Sequence, residues 1–396
     1  MKRKIAIIAG GDSSEHDVSL RSAAGLYSFM DKERYDVTIV VLDGKEWVAY
    51  PQPLPEGMGV EEYFANSESC PIDKNDFSFT REGVKHTFDF AYITIHGTPG
   101  ENGILQGYLD MIGMPYSCCG VLAAALTFNK YACNHYLSYF GFHIANSMIL
   151  RAGQKWPNAP KIAEALGLPC FIKSNVGGSS FGCTKVKTVE EIYPAIERAF
   201  QEGNEVICES FMQGTEVTCG VYKTKDKAVA FPITEVVTHN EFFDYNAKYK
   251  GEVDEITPAR IPDELREKIQ AETLRLYDII GANGIIRVDW IITKGPSDQV
   301  PSDQVPSDQV PSDQVPSDQV PSDQVPSDQV PSDQVPSDKV PSDKGQSTKD
   351  GVQLNLLEVN TTPGMTPTSF IPQQVRAAGL DIKDVLTDII ENKFNN

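Results

Sequence analysis

Apolar residues come in short blocks separated by helically spaced stretches. Residues 4–9, KIAIIA, form an apolar run that ends in Gly10-Gly11, the pattern of a buried strand closed by a turn. Helical spacing follows over 18–30. Further strands are predicted at 36–42 and 89–95, the last ending in His96-Gly97. Strands alternating with helices predict a parallel, Rossmann-like first unit over 1–117. In such sheets ligands gather at the carboxyl ends of the strands, where both glycine turns fall.

A second, α+β unit is predicted over 118–212. It opens with a helix over 129–139, with Gly141 past its end. Strands follow at 170–174 and 183–186 on either side of a Gly/Ser loop. Thr188 and Glu191 then stand at capping-box spacing at the start of a helix over 188–201, and a strand is predicted at 205–210. The third unit, 213–396, carries strands at 216–222 and 228–235 and an Asp/Tyr/Lys-rich loop over 240–251. A long amphipathic helix over 262–280, strands at 284–293 and 353–359, and two closing helices complete it. The fold class is thus α/β in the first unit and α+β in the other two.

One stretch between the last two strands belongs to neither period. From Pro296 to Gly345 the chain repeats PSDQV eight times, then PSDKV, then PSDKG. A proline every fifth residue defeats both helix and sheet ladders, and each repeat has one apolar residue at most, so a solvated hairpin insert is expected. Lengthening a hairpin tip from about six to about 56 residues costs only about 2 kcal/mol in closure entropy, so the surrounding fold tolerates it. Its uniformity suits a binding array, and it suits slippage of a short coding repeat in a tolerant hairpin.

The repeat also distorts the charge balance. Of the formal net charge of −20, its ten Asp and two Lys supply −8, leaving −12 on 346 residues. An acidic chain argues against general nucleic-acid or anionic-membrane binding. The eight cysteines form no CxxC pair and mostly sit in apolar runs, as buried free thiols do. The apolar run after the basic N-terminus is too short for a signal peptide, and no run reaches membrane-spanning length. A reduced, cytoplasmic, soluble protein is expected.

Several constellations carry chemistry. The loop Asn175-Val-Gly-Gly-Ser-Ser-Phe-Gly182 lies between two predicted strands and lacks the GxxxxGK[ST] pattern, so it is not a P-loop. It is either an ordinary hairpin turn or a flexible cover over phosphates. Lys173 before it and Lys130 at a helix start would supply cations for polyphosphate oxygens. Glu209-Ser-Phe-Met212 and Glu216 could line a purine pocket with a ribose contact, or form a plain strand end. The strongest signal pairs Arg287-Val-Asp289 with Glu358-Val-Asn360-Thr-Thr-Pro-Gly364. In a strand i and i+2 share a face, so on neighbouring strands Asp289, Glu358 and Asn360 would converge as oxygen ligands for Mg²⁺. Arg287 beside them could hold a carboxylate or a developing oxyanion.

Taken in order, these motifs resemble the D-alanine–D-alanine ligases of the ATP-grasp superfamily. The resemblance rests on Gly10-Gly-Asp-Ser-Ser-Glu-His-Asp-Val-Ser-Leu20, His96-Gly-Thr-Pro-Gly-Glu-Asn-Gly103, Lys173 with Gly178-Ser-Ser-Phe-Gly182, Phe243-Asp-Tyr-Asn-Ala-Lys-Tyr249, Arg287-Val-Asp289 and Glu358-Val-Asn-Thr-Thr-Pro-Gly-Met365. It covers the 346 residues outside the repeat in collinear order. It implies ATP-dependent ligation of two D-alanines for peptidoglycan synthesis, with two Mg²⁺ (or Mn²⁺), as a homodimer. Relatives that make D-alanyl-D-lactate or D-alanyl-D-serine are the alternative, and Tyr249 favours the dipeptide enzyme.

The same resemblance implies residue roles. Lys130, Lys173 and Ser180 would contact ATP phosphates or cover them, and Glu209, Phe211, Met212 and Glu216 would form the adenosine pocket. Asp289, Glu358 and Asn360 would hold the metals. Glu15 would bind the first ammonium and His96 would lie near its carboxylate. Ser179, Tyr249 and Glu15 would close the site, with Lys248 near the γ-phosphate. Arg287 and the Gly364 N–H would form an oxyanion hole, and Ser369 with the Phe370 N–H would receive the second carboxylate. Ser174, Gly177 and the Thr98-Pro99 step depart from the family pattern, as does the repeat.

Overall fold

The computed structural model describes residues 2–178, 182–238, 253–294 and 351–394. Ser179, Ser180, Lys248, Tyr249, the loop over 240–251 and the repeat over 296–345 therefore lie outside the described residues.

The first sheet contains β1 (Arg3–Gly10), β2 (Tyr35–Asp43), β3 (Glu46–Tyr50), β4 (Cys70–Asp73), β5 (Ser78–Arg81), β6 (Val84–His86) and β7 (Phe90–Ile93), in the order β6-β5-β4-β3-β2-β1-β7. Only β2, β1 and β7 are parallel; β3 to β6 extend the sheet as an antiparallel meander. The meander is absent from the sequence reading because its strands are three to five residues long and show little period-two contrast. Between β5 and β6 the chain reverses at Glu82-Gly83, both with positive φ, the geometry of a tight hairpin turn.

The predicted parallel β1 lies where its apolar run requires, with Ile5 through Ala9 fully buried. At its carboxyl end Gly11 has φ +99°, and a Cβ there would lie 2.5 Å from Ile95 and 2.8 Å from the Thr98 carbonyl. Only glycine lets this turn approach the 95–98 segment so closely.

The second sheet, β11-β10-β12-β9, comprises β9 (Ser147–Arg151), β10 (Cys170–Ser174), β11 (Thr184–Val186) and β12 (Glu205–Ser210). The predicted helix over 188–201 is a three-part segment, 3-10 at both ends around α-helix Ile192–Ala199, and the Thr188/Glu191 capping box is present.

The third sheet holds β13 (Thr215–Lys223), β14 (Ala228–Ala230), β15 (Thr234–Thr238), β16 (Val253–Ile256), β17 (Ile285–Lys294) and β18 (Val352–Asn360), joined at its edge by β8 (His143–Ile144). The strand expected over 228–235 is broken between β14 and β15, where Pro232 offers no N–H to the ladder. Helices Val121–Phe128 and Lys130–Tyr139, grouped by the sequence reading with the second unit, send Ala123, Ala124, Cys133 and Leu137 into one apolar cluster with Val217, Val288 and Trp290 of the third sheet. The two C-terminal helices, Phe370–Ala377 and Ile382–Asn392, cross to the first sheet, where Ile371, Val375, Leu386 and Ile390 pack with Ile5, Ile7 and Phe90. The segment 358–370 therefore runs from the third sheet to the first and passes through the cleft between them.

Candidate active site

The cleft is built on β17 and β18, which pair antiparallel with Arg287 opposite Asn360 and Asp289 opposite Glu358. On β17, Ile286, Val288 and Trp290 enter the core, so alternation turns Arg287 and Asp289 the other way. On β18, strict alternation would put Glu358 and Asn360 on the same face as the core residues Leu354 and Leu356. A register shift between Asp289 and Trp290 leaves Leu357 unpaired. This bulge lets Val359 return to the core and aims Glu358 and Asn360 at the cleft.

The charges here are held in pairs. Arg287 donates from Nε to Asp289 Oδ1 at 2.9 Å and from Nη2 to Oδ2 at 2.7 Å, and the Thr218 hydroxyl donates to the same carboxylate. Burial alone would lower the Arg287 guanidinium, but Asp289 beside it outweighs burial and raises it. Lys130 Nζ lies 3.1 Å from Glu358 and also donates to the Gly177 carbonyl. Burial works to raise the Glu358 carboxyl, yet Lys130 and Lys173 hold it down at about 2.

Helix Lys130–Tyr139 is capped by the Asn129 side chain, which accepts from the Ala132 N–H at 2.9 Å. The cap fixes Lys130 at the first turn. The Lys130 N–H in turn donates to the Asn175 carbonyl at 3.0 Å, tying the helix to the glycine loop.

A cavity of about 320 Å³ opens above these strands. Of the predicted site residues, Glu15, His96, Lys130, Arg287, Glu358, Asn360, Gly364, Ser369 and Phe370 line it. Glu15 comes from the β1 turn, and Gly178 abuts it so closely that a Cβ at 178 would lie 2.6 Å from its carboxylate. Ser369 is the residue before helix Phe370–Ala377 and accepts from the Thr366 N–H at 3.1 Å. Its hydroxyl would lie 3.0 Å from a Cβ at Gly364, so the two positions abut.

The predicted nucleotide residues form a neighbouring group on the second sheet. Lys173 Nζ pairs with Glu209 at 2.6 Å, and both side chains are largely buried. Burial would lower the Lys173 ammonium, and Glu209 raises it instead. The Phe211 ring lies 6.0 Å from that of Phe171, with Lys185 over its face at 4.1 Å. Phe211, Met212 and Glu216 are partly exposed and do not line the cavity; Glu216 acts electrostatically on Arg287. Asp289 also sits behind the lining, beneath Arg287.

Sequence reasoning missed Glu101, Arg21 and Glu255, which also line the cavity. Glu101 stands inside the His96 motif, and its signal was a lone acid in a glycine-rich turn following a buried strand. Arg21 and Glu255 had no motif to mark them.

The described residues bring together no group of three His, Cys, Asp or Glu side chains that could hold a metal ion. The donor set here is two carboxylates facing each other across a strand pair plus the Asn360 carboxamide. That all-oxygen set fits the chemistry of a hard divalent cation that keeps several waters.

Comparisons with known proteins extend this picture. The solved structure of the VanG D-Ala:D-Ser ligase from Enterococcus faecalis superposes with a TM-score of 0.73 at 26% identity, covering 99% of each chain. The D-alanine–D-alanine ligase of Bacillus anthracis complexed with ATP gives 0.64 at 23% identity, covering 99% of this chain and 98% of that one. The fold is that of an ATP-grasp ligase. The family model D-ala D-ala ligase N-terminus matches residues 4–119, and D-ala D-ala ligase C-terminus matches 137–299 and 346–391. The D-alanine–D-alanine ligase of Bacteroides fragilis is 55% identical over 394 residues, and that of Porphyromonas gingivalis 47% over 396, each covering all of this chain and at least 99% of the relative. This chain belongs to the D-alanine–D-alanine ligase family.

Proposed function

We propose that the chain joins two D-alanines into D-alanyl-D-alanine, converting ATP to ADP and phosphate by way of phosphoryl transfer to a carboxylate, the dipeptide step of cell-wall synthesis. The observation that carries the reading is the cross-strand set Arg287, Asp289, Glu358 and Asn360, its charges held in pairs beneath a polar cleft.

The first substrate's carboxylate oxygen attacks the γ-phosphorus, ADP leaves, and an acyl phosphate forms. The second substrate's amine, having lost a proton, attacks the acyl carbon, and the C–O bond to phosphate breaks. Lys130 and Lys173 would bind phosphate oxygens, exchanging their present partners Glu358 and Glu209 for the nucleotide. Freed from Lys130 in this way, Glu358 would join Asp289 and Asn360 in holding one or two Mg²⁺ or Mn²⁺, which when bound offset phosphate charge. Glu209, Phe211, Met212 and Glu216 would take the adenosine. Glu15 would bind the first ammonium and His96 would orient its carboxylate. Arg287 and the Gly364 N–H would stabilise the tetrahedral oxyanion, and the start of helix Phe370–Ala377 with Ser369 would receive the second carboxylate. Ser179, Ser180, Lys248 and Tyr249 are assigned loop and γ-phosphate roles by the family pattern alone. A homodimer and a three-domain division at 117 and 212 belong to the same proposal. No described helix is long and apolar enough to cross a membrane.

A coupled ADP-release assay across D-alanine, D-lactate and D-serine tests the reading. ADP release with D-alanine alone is expected. Release only when D-lactate or D-serine accompanies D-alanine would transfer the assignment to the depsipeptide or D-serine enzymes.

A further inference from the structure

We infer that Glu101 is a second carboxylate for the ammonium group of the amino-acid substrate, acting with Glu15 on the same wall of the cleft. Both residues line the cavity. Glu15 comes from the turn after β1 and Glu101 from the turn that follows His96, so two neighbouring parallel strands, β1 and β7, deliver them. This inference rests on the D-alanine ligation reading and names a residue that the reading does not use.

The Glu101 carboxylate is fixed from two sides. Its Oε2 accepts the Gly97 N–H at 2.7 Å, and its Oε1 accepts the Thr362 hydroxyl at 2.6 Å. Thr362 lies in the segment that runs from the metal-site strand to Gly364, so the carboxylate stands where the two halves of the cleft meet. Each oxygen accepts one hydrogen bond, and a carboxylate can accept more, which leaves capacity for an ammonium donor.

Among the described residues no ion pair engages Glu101. Lys130, whose charge reaches it, is occupied by Glu358 and the Gly177 carbonyl. Burial, and after it the charge of Glu15, pushes the Glu101 carboxyl up to about 7, while Thr362 and Gly97 pull against them. The charge of Glu15 already weighs on the Glu101 carboxylate within the same cavity, and a substrate ammonium brought to both would offset that repulsion.

A purely mechanical role would make Glu101 a clamp between the 96–103 turn and the 358–364 segment, and two variants separate the roles. Glu101→Gln removes the charge and can keep both bonds, its carbonyl accepting from Gly97 and its amide donating to the Thr362 oxygen. Thr362→Val removes one clamp bond and keeps the charge. The dissociation constant of D-alanine is measured by calorimetry with a non-hydrolysable ATP analogue present. E101Q is expected to weaken D-alanine about ten-fold, one charge-assisted hydrogen bond's worth, with nucleotide affinity unchanged and the melting temperature not lowered. T362V is expected to bind D-alanine within about two-fold of wild type. Wild-type affinity in E101Q, or an equal loss in T362V, would overturn the inference. If E101Q does not fold, Glu101→Asp decides: binding within about three-fold supports the charge role, and a ten-fold loss contradicts it. Failure of the wild-type enzyme to release ADP with D-alanine would instead remove the ligation reading itself, so the two failures are distinguishable.

Discussion

Replacing Arg287 with Met removes a buried cation whose role can be read from stability as well as from turnover. Its guanidinium and the Asp289 carboxylate are each about 10% exposed and share two hydrogen bonds. Removing one member of such a pair costs about 3–5 kcal/mol, because the other charge stays buried without compensation. Asp289 keeps the Thr218 hydroxyl, which places the expected loss near the lower end, about 3 kcal/mol. Arg287→Lys keeps the charge and loses the two-pronged geometry, so roughly half that loss is expected. The double variant R287M/D289L replaces both partners by apolar groups and should recover most of the stability, since such exchanges are often neutral. Urea unfolding midpoints at constant slope measure all three. All should release ADP at least a hundred-fold more slowly than wild type, if Arg287 stabilises an oxyanion worth about 3 kcal/mol. A double variant no more stable than R287M, or one that retains turnover, would refute the reasoning.

Other outcomes follow from the same geometry. Glu358 titrates at about 2 against an ordinary 4.5, so its pairing stabilises the fold above about pH 4.5 and loses that effect as pH falls towards 2. Lys130→Met should therefore be less stable than wild type at pH 7, with the gap narrowing on acidification; a gap that stays constant with pH would contradict the pairing. Gly178→Ala puts a Cβ 2.6 Å from the Glu15 carboxylate and should raise the KM for D-alanine about five-fold, roughly 1 kcal/mol, leaving that for ATP unchanged. An equal change in both constants would count against Glu15 as the ammonium site. Lys294 and Val352 pair across β17 and β18, so deleting 296–345 should preserve turnover and change stability by no more than about 2 kcal/mol of loop entropy. A large loss of either would show the repeat to be more than a passive insert.

The long elements were legible in the sequence because their patterns are strong. The ten-residue β17 is a long apolar run broken by Arg287 and Asp289 before its polar end, and Thr188 with Glu191 marked a helix start that the structure bears out. The meander β3 to β6 was not legible, since strands of three to five residues in a half-exposed sheet carry almost no period. On β18 the pairing and the convergence of Glu358 and Asn360 with Asp289 were foreseen and the bulge was not: period-two alternation puts Glu358 with Leu356, and only the bulge at Leu357 separates them. A bulge is a property of two paired strands, which one strand's pattern cannot announce. Glu101 escaped for a similar reason. Its two partners, Gly97 and Thr362, lie 4 and 261 residues away, and only the folded chain brings the three together.

The central claim is that one cleft activates a D-alanine carboxylate by transferring phosphate to it before the peptide bond forms. Isotope transfer tests this most directly. With D-alanine carrying ¹⁸O in its carboxylate, turnover with ATP should deliver one ¹⁸O atom into each phosphate released, measured by mass spectrometry alongside D-alanyl-D-alanine. Dipeptide formed with unlabelled phosphate would contradict the acyl-phosphate account.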